Sequence, residues 1–148
     1  MLPRNCRFND EIGAWDTSSV TSTFQMFNKA SSFNQPLDSW NVGEVTDMRF
    51  MFSSASAFNK PIGNWSVAKA TRMNAMFRGA SSFKQPLYDW NVTKVTTMSF
   101  MFYEATDFDQ DLGWCVAEGV NVNNMFFDTK CGSLAGYGVT QPVGSCPP

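Results

Sequence analysis

Met73 and Met76, and again Met98 and Met101, stand three residues apart, a spacing at which two thioethers on one helical turn can hold a soft ion such as Cu(I). Trp40, Trp65 and Trp90 recur at one interval and, if exposed, would offer stacking platforms to a polysaccharide. Thr21, Thr46, Thr71 and Thr96 make a row of hydroxyls of the kind found on ice-binding surfaces. Asp107, Asp109 and Asp111 alternate like calcium ligands, although no Gly-containing EF-hand frame follows them. Each has a plainer reading. The methionines lie on the same stripe as Phe and Ala, where a flexible thioether serves as core filler. Trp40 and Val42 share one strand face, so the tryptophans are expected to point inwards. Only one threonine rank exists, and its neighbours Ser22, Asp47, Arg72 and Thr97 differ, so capping of a short helix accounts for it. The aspartates read as a solvated face.

Catalysis has little to work with here. The 148 residues contain no histidine, which removes the commonest general base and the commonest metal ligand together. No Ser/His/Asp, Cys/His or phosphate-loop motif occurs, so neither an enzyme nor a cofactor or metal site is expected. With a formal net charge of −2, nothing suggests nucleic acid, which calls for a clustered basic face. Apolar runs are too short for a membrane span, and MLPRNCRFND lacks the apolar stretch of a signal peptide. Four cysteines, Cys6, Cys115, Cys131 and Cys146, form no CxxC, which favours disulfides and an oxidising compartment over metal.

The elements that position these residues come from a repeat. Phe8, Phe33, Phe58, Phe83 and Phe108 are spaced by 25 throughout. Ile12, Leu37, Ile62, Leu87 and Leu112 keep the same step, as do Trp15, Trp40, Trp65 and Trp90. Met51, Met76 and Met101 precede Phe52, Phe77 and Phe102, and Ala55, Ala80 and Ala105 close the unit. The last copy is one residue short: Trp114 lies 24 after Trp90. Within a unit, the two-residue spacing of Trp40 and Val42 predicts a short strand, and the spacing of Val45, Met48, Met51 and Ala55 predicts a short helix. A single unit buries too little to fold alone. Stacking at the strand spacing of about 4.8 Å turns the apolar columns into interior ladders.

The combined pattern L/I-x-x-W-x-V-x-x-V-T-x-M-x-x-M-F-x-x-A-x-x-F-N-x-P resembles a bacterial and algal surface-protein repeat of about 26 residues, over residues 8–127. That family carries a domain-of-unknown-function label and includes surface proteins of the BspA type. The resemblance implies a leucine-rich-repeat-like fold, a cell-surface setting and a role in adhesion; it implies no catalytic residues. The Cys-bearing ending resembles the cap of the algal members.

The expected fold is thus an α/β repeat solenoid, leucine-rich-repeat-like, with about five 25-residue coils, each holding a short strand and a short helix. Residues 1–7 read as the tail of a preceding repeat or an adventitious start, residues 8–108 as four regular repeats, and residues 109–148 as a degenerate repeat with a Cys/Gly/Pro-rich cap. The expected core ladders are Phe33, Phe58 and Phe83; Trp40, Trp65 and Trp90; Met51, Met76 and Met101; and Phe52, Phe77 and Phe102. A bridge between Cys115 and Cys131, in one coil, is expected to clamp the cap, with Cys131–Cys146 as the rival pairing and Cys6 left free or bonded upstream. The expected function is a non-enzymatic extracellular or surface module that contacts a protein or glycan, or packs in a larger assembly. The alternative is a lattice binder of polysaccharide or ice. Gly43–Glu44, Ala68–Lys69 and Thr93–Lys94 would face outwards, and Asn64 and Asn91 begin N-x-S/T sequons.

Overall fold

The computed structural model describes residues 7–130, 133 and 135–140. Single-residue parallel bridges tie Ser22 to Asp47, Asp47 to Arg72, Arg72 to Thr97 and Thr97 to Asn121, so equivalent positions of successive coils lie side by side. Among the described residues, the remaining bridge joins Cys115 to Thr140, and the helical content is a single 3-10 turn, Ala135–Tyr137. This corrects the expected α/β repeat solenoid of leucine-rich-repeat type. The coils hold neither the short strand nor the short helix; they are built of turns.

The backbone hydrogen bonds show how. Thr23, Gln25, Phe27 and Lys29 donate their N–H groups to the carbonyls of Asp47, Arg49, Met51 and Ser53 in the next coil, at 2.7–3.0 Å. The residues between them turn back, with Met26, Asn28 and Ala30 donating to Thr23, Gln25 and Phe27. Met48, Phe50, Phe52 and Ser54 repeat the first set towards Arg72, Asn74, Met76 and Arg78. A helix would use every N–H inside its own coil. Here alternate ones run along the stack. Two left-handed residues, four apart, recur in each ribbon of turns: Gln25 (φ 57°) and Lys29 (φ 65°), Phe50 (56°) and Ser54 (58°), Ala75 (56°) and Gly79 (67°), Phe100 (59°) and Glu104 (58°). No α-helix passes through such positions.

The physical reason is the distance between coils. The rings of Phe27, Phe52, Phe77, Phe102 and Phe126 follow one another at 5.3–5.6 Å, nearly parallel. Phe33, Phe58, Phe83 and Phe108 repeat at 5.9–6.2 Å. Helix axes approach no closer than about 8–10 Å, whereas extended or turning chains pair at about 4.8 Å. The Met-Phe segment has the apolar spacing of a helix, but its rings must stack at half a helix's width. Turns satisfy both demands.

Phe33, Phe58, Phe83, Met51, Met76, Met101, Phe52, Phe77 and Phe102 are fully buried, and Trp40, Trp65 and Trp90 nearly so. Phe52 and Phe58 stack at 4.0 Å within one coil, and Phe77 and Phe83 at 4.2 Å in the next. Each buried indole N–H finds a carbonyl one coil earlier: Trp40 to Ile12 (3.0 Å), Trp65 to Leu37 (2.9 Å), Trp90 to Ile62 (3.1 Å) and Trp114 to Leu87 (3.1 Å). These bonds let a large polar-tipped ring sit in the core without an orphaned donor. The last coil is closed by Tyr137, whose ring stacks on Phe126 at 4.3 Å and whose hydroxyl donates to the Phe108 carbonyl at 2.9 Å. Thr140 adds an N–H bond to the Trp114 carbonyl.

The left-handed turns make a clean test. A Cβ on Gly79 would meet nothing closer than the Ser54 hydroxyl at 3.5 Å, so only backbone conformation is at stake. Gly79→Ala is expected to cost about 1 kcal/mol in urea unfolding, and Lys29→Gly, at the equivalent position, to stabilise by less than about 1 kcal/mol.

Candidate binding surface

The ribbon of turns has an inner edge of Met and Phe and an outer edge on which the repeat is not kept. Phe24, Arg49, Asn74 and Ser99 share one outer position, and Gln25, Phe50, Ala75 and Phe100 the next. Asn28, Ser53, Arg78 and Tyr103 share a third, joined by Phe127 from the short last coil, and Lys29, Ser54, Gly79 and Glu104 a fourth. The side chains of the middle coil are small at two of these positions, Ala75 and Gly79. Larger ones rise on both sides.

Two aromatic ridges result. On one side Phe24 and Phe50 meet edge to face at 6.2 Å, with the Arg49 guanidinium 4.8 Å above Phe24. On the other, Phe100 and Tyr103 lie 5.6 Å apart and Tyr103 stacks on Phe127 at 4.9 Å, with the Arg78 guanidinium 5.3 Å above Tyr103. A hollow of about 330 Å³ runs across the coils beside Phe50 and Arg78, lined otherwise by Gln25, Asn28, Lys29, Ser53, Ser54, Gly79 and Glu104. Phe24, Phe100 and Phe127 are 43%, 38% and 53% exposed. Rings at low conformational cost, guanidinium planes stacked on them and a polar hollow alongside are the ingredients of recognition rather than of bond-making.

Beneath the first ridge sits the one buried carboxylate among the described residues, Asp47. Arg49 grips it in a fork, Nε to Oδ1 at 2.9 Å and a terminal nitrogen to Oδ2 at 2.7 Å, while the Arg49 backbone N–H donates to Oδ1 at 3.1 Å. Arg72 approaches the same carboxylate at 3.5 Å from the next coil. Burial pushes the carboxyl up, but the Arg49 hydrogen bonds and the charges of Arg49 and Arg72 outweigh it, holding Asp47 below its ordinary 3.8. The pair orients the guanidinium that covers Phe24.

The polar columns serve the stack. The Thr46, Thr71 and Thr96 hydroxyls donate to the carbonyls of Thr21, Thr46 and Thr71, at 3.3, 3.2 and 3.0 Å, so they link coils and cap no helix. The side-chain oxygens of Asn9, Asn34 and Asn59 accept from the backbone N–H of Asn34, Asn59 and Lys84 in the following coil. On the expected outer face, Lys69 and Glu44 form an exposed ion pair at 2.7 Å. Asp109 contacts Gln110 and Lys130, and Asp111 accepts from the Gly113 N–H, so the acidic run points to separate partners. Among the described residues no three Cys, Asp or Glu side chains gather as a metal-binding group. Met73, Met76, Met98 and Met101 are wholly buried. Asn64 and Asn91 are exposed. Cys115 is disulfide-bonded, while Cys6, Cys131 and Cys146 lie outside the described residues, as does the pairing expected of them.

Phe24, Arg49, Phe50, Arg78, Phe100, Tyr103 and Phe127 escape a reading of the sequence that looks for what repeats. Their signal was the opposite one: large residues at positions where other copies carry Asn, Ser or Ala. With the geometry in hand, comparison with known proteins adds one relation. The family described as "Mycoplasma protein of unknown function, DUF285" matches residues 1–72 and 38–134. No curated protein and no solved structure matches. No helix among the described residues is long and apolar enough to cross a membrane.

The Asp47 fork has a pH signature. Its folded pKa lies below the unfolded value, so its stabilisation is present at neutral pH and is lost as pH falls from about 5 through the folded pKa. Asp47→Asn is expected to cost about 1–2 kcal/mol at pH 7 and to flatten the fall in urea midpoint between about pH 5 and 2.

Proposed function

The chain belongs to the DUF285 family, and from that premise we propose that it is a non-catalytic module of surface proteins that holds a protein partner on its ribbon of turns. The observation that carries this reading is the pair of exposed aromatic ridges with their stacked guanidinium groups, Arg49 on Phe24 and Arg78 on Tyr103. Aromatic and arginine side chains are the residue types on which protein interfaces concentrate their binding energy, and a contiguous exposed apolar patch marks such a site. An extracellular setting is supported by the Cys115 disulfide, which persists in oxidising compartments. The kinship with BspA-type surface repeats is part of the same proposal, resting on the repeat pattern. A lattice binder would need its regular columns free at the surface. The threonine hydroxyls and indole N–H groups are instead bonded between coils, so no observation favours that reading.

Phe100→Asn, Phe127→Ser and Arg78→Ala remove exposed side chains only, and Asn tolerates the left-handed backbone at 100. The triple variant is expected to keep its melting temperature and to lose at least about tenfold in affinity for a protein partner captured from a cell-surface extract. Equal retention of that partner by both forms contradicts the placement of the site.

A further inference from the structure

The position after each aliphatic residue of the Ile12, Leu37 and Ile62 column is not kept by the repeat. It reads Gly13, Asp38, Gly63, Tyr88 and Gly113 in successive coils. Gly63 interrupts this row of side chains and leaves a slot of about 390 Å³ with Asp38 on one side and Tyr88 on the other. Those two stand two coils apart, about 10 Å at strand spacing, which leaves room for one flat group against the Tyr88 ring. Pro61, Asn64, Pro86 and Asp89 complete the lining. A Cβ on Gly63 would come within 2.8 Å of the Pro86 carbonyl oxygen, so no side chain fits there without displacing backbone. Tyr88 is 63% exposed, more than any other large apolar side chain described. The exposed rings of Trp15, Phe24, Phe100 and Phe127 each lie against another ring. Tyr88 has no aromatic or cationic neighbour among the described residues.

The polar groups of the slot are nearly all acceptors. The Asp38 and Asp89 carboxylates have no hydrogen-bond or ion-pair partner among the described residues, and the Pro86 carbonyl accepts nothing from them. Proline has no N–H to offer. Asn64 directs one amide hydrogen to the Asp38 carbonyl at 2.8 Å, which leaves its side-chain oxygen unused. No lysine or arginine lines the slot. We infer that this slot is a binding site for an arginine side chain of a partner polypeptide, its guanidinium flat on Tyr88 and its N–H groups on Asp38, Asp89 and the Pro86 carbonyl. A guanidinium supplies donors and no acceptor, and its charge complements the two carboxylates. The molecule makes the same pairing within itself, Arg49 over Phe24 at 4.8 Å and Arg78 over Tyr103 at 5.3 Å. A sugar would stack on the same ring, but its oxygens also need donors, and the slot has few. Calcium needs about six oxygens drawn close together, and among the described residues no three acidic side chains gather. This site shares no residue with the hollow beside Phe50 and Arg78, so it does not rest on the aromatic ridges.

The probe is the peptide acetyl-Gly-Arg-Gly-amide, titrated into the full chain while NMR follows the Gly63 and Asn64 amides and the Tyr88 ring protons. The control is the same peptide with citrulline, which keeps the shape of arginine and lacks its charge. Saturable shifts are expected with a Kd on the order of 1–10 mM, as a single side chain allows, and at least about tenfold weaker binding of the citrulline peptide. Tyr88→Ala, and Asp38→Asn combined with Asp89→Asn, are each expected to weaken the arginine peptide at least about fivefold with the melting temperature unchanged. Absence of saturable shifts, equal binding of the citrulline peptide, or variants that bind as the parent does overturns the inference. So does a methyl pyranoside or calcium chloride that moves these resonances where the arginine peptide does not.

Discussion

One distance governs this molecule: the separation of five to six ångströms at which stacked rings repeat from coil to coil. Aromatic faces in parallel contact set it, and backbone hydrogen bonds between extended or turning chains share it. Nothing as wide as a helix fits. The Met-Phe segment therefore folds as consecutive turns, with alternate N–H groups passed to the next coil and left-handed residues where the chain reverses. The indole, threonine and asparagine columns obey the same rise, each bonding one coil away. A coil that strayed from it would break several ladders together.

The sequence carried the columns plainly and the secondary structure misleadingly. Phe52, Met51 and Trp65 recur because each copy faces the same neighbours, so their interior position follows from periodicity. The helix expected across Val45 to Ala55 rested on apolar spacing alone. A run of linked turns produces much the same spacing, and only the intercoil distance separates the two. Left-handed residues were equally hidden, since one glycine, Gly79, marks a conformation that Gln25, Lys29, Phe50 and Ala75 adopt without any. Thr46 was misread for the same reason: with no helix to cap, its hydroxyl bonds the previous coil. Tyr137 stands outside the period, so its closure of the last coil left no trace in the repeat.

Structure and proposed recognition divide between the two edges of each coil. Repeated residues are used inside, where every copy must match its neighbour. Departures from the repeat gather on the outer edge, where Phe24, Arg49, Arg78, Tyr103 and Phe127 form ridges and Ser53, Ser54 and Gly79 line a hollow beside Arg78. Membership of the DUF285 family fits such a scaffold without assigning it a ligand. The Asp47 fork connects the two edges, since the carboxylate lies on the bridge column and its arginine covers an outer ring.

The central claim is that the Met-Phe segment is a ribbon of turns bonded between coils. Scalar couplings across hydrogen bonds, read by NMR on isotope-labelled protein, test it most directly. The account predicts a coupling from the Phe52 amide to the Met76 carbonyl, its acceptor at 2.9 Å in the next coil. A coupling from Phe52 to Met48 within its own coil, the signature of an α-helix, would contradict it.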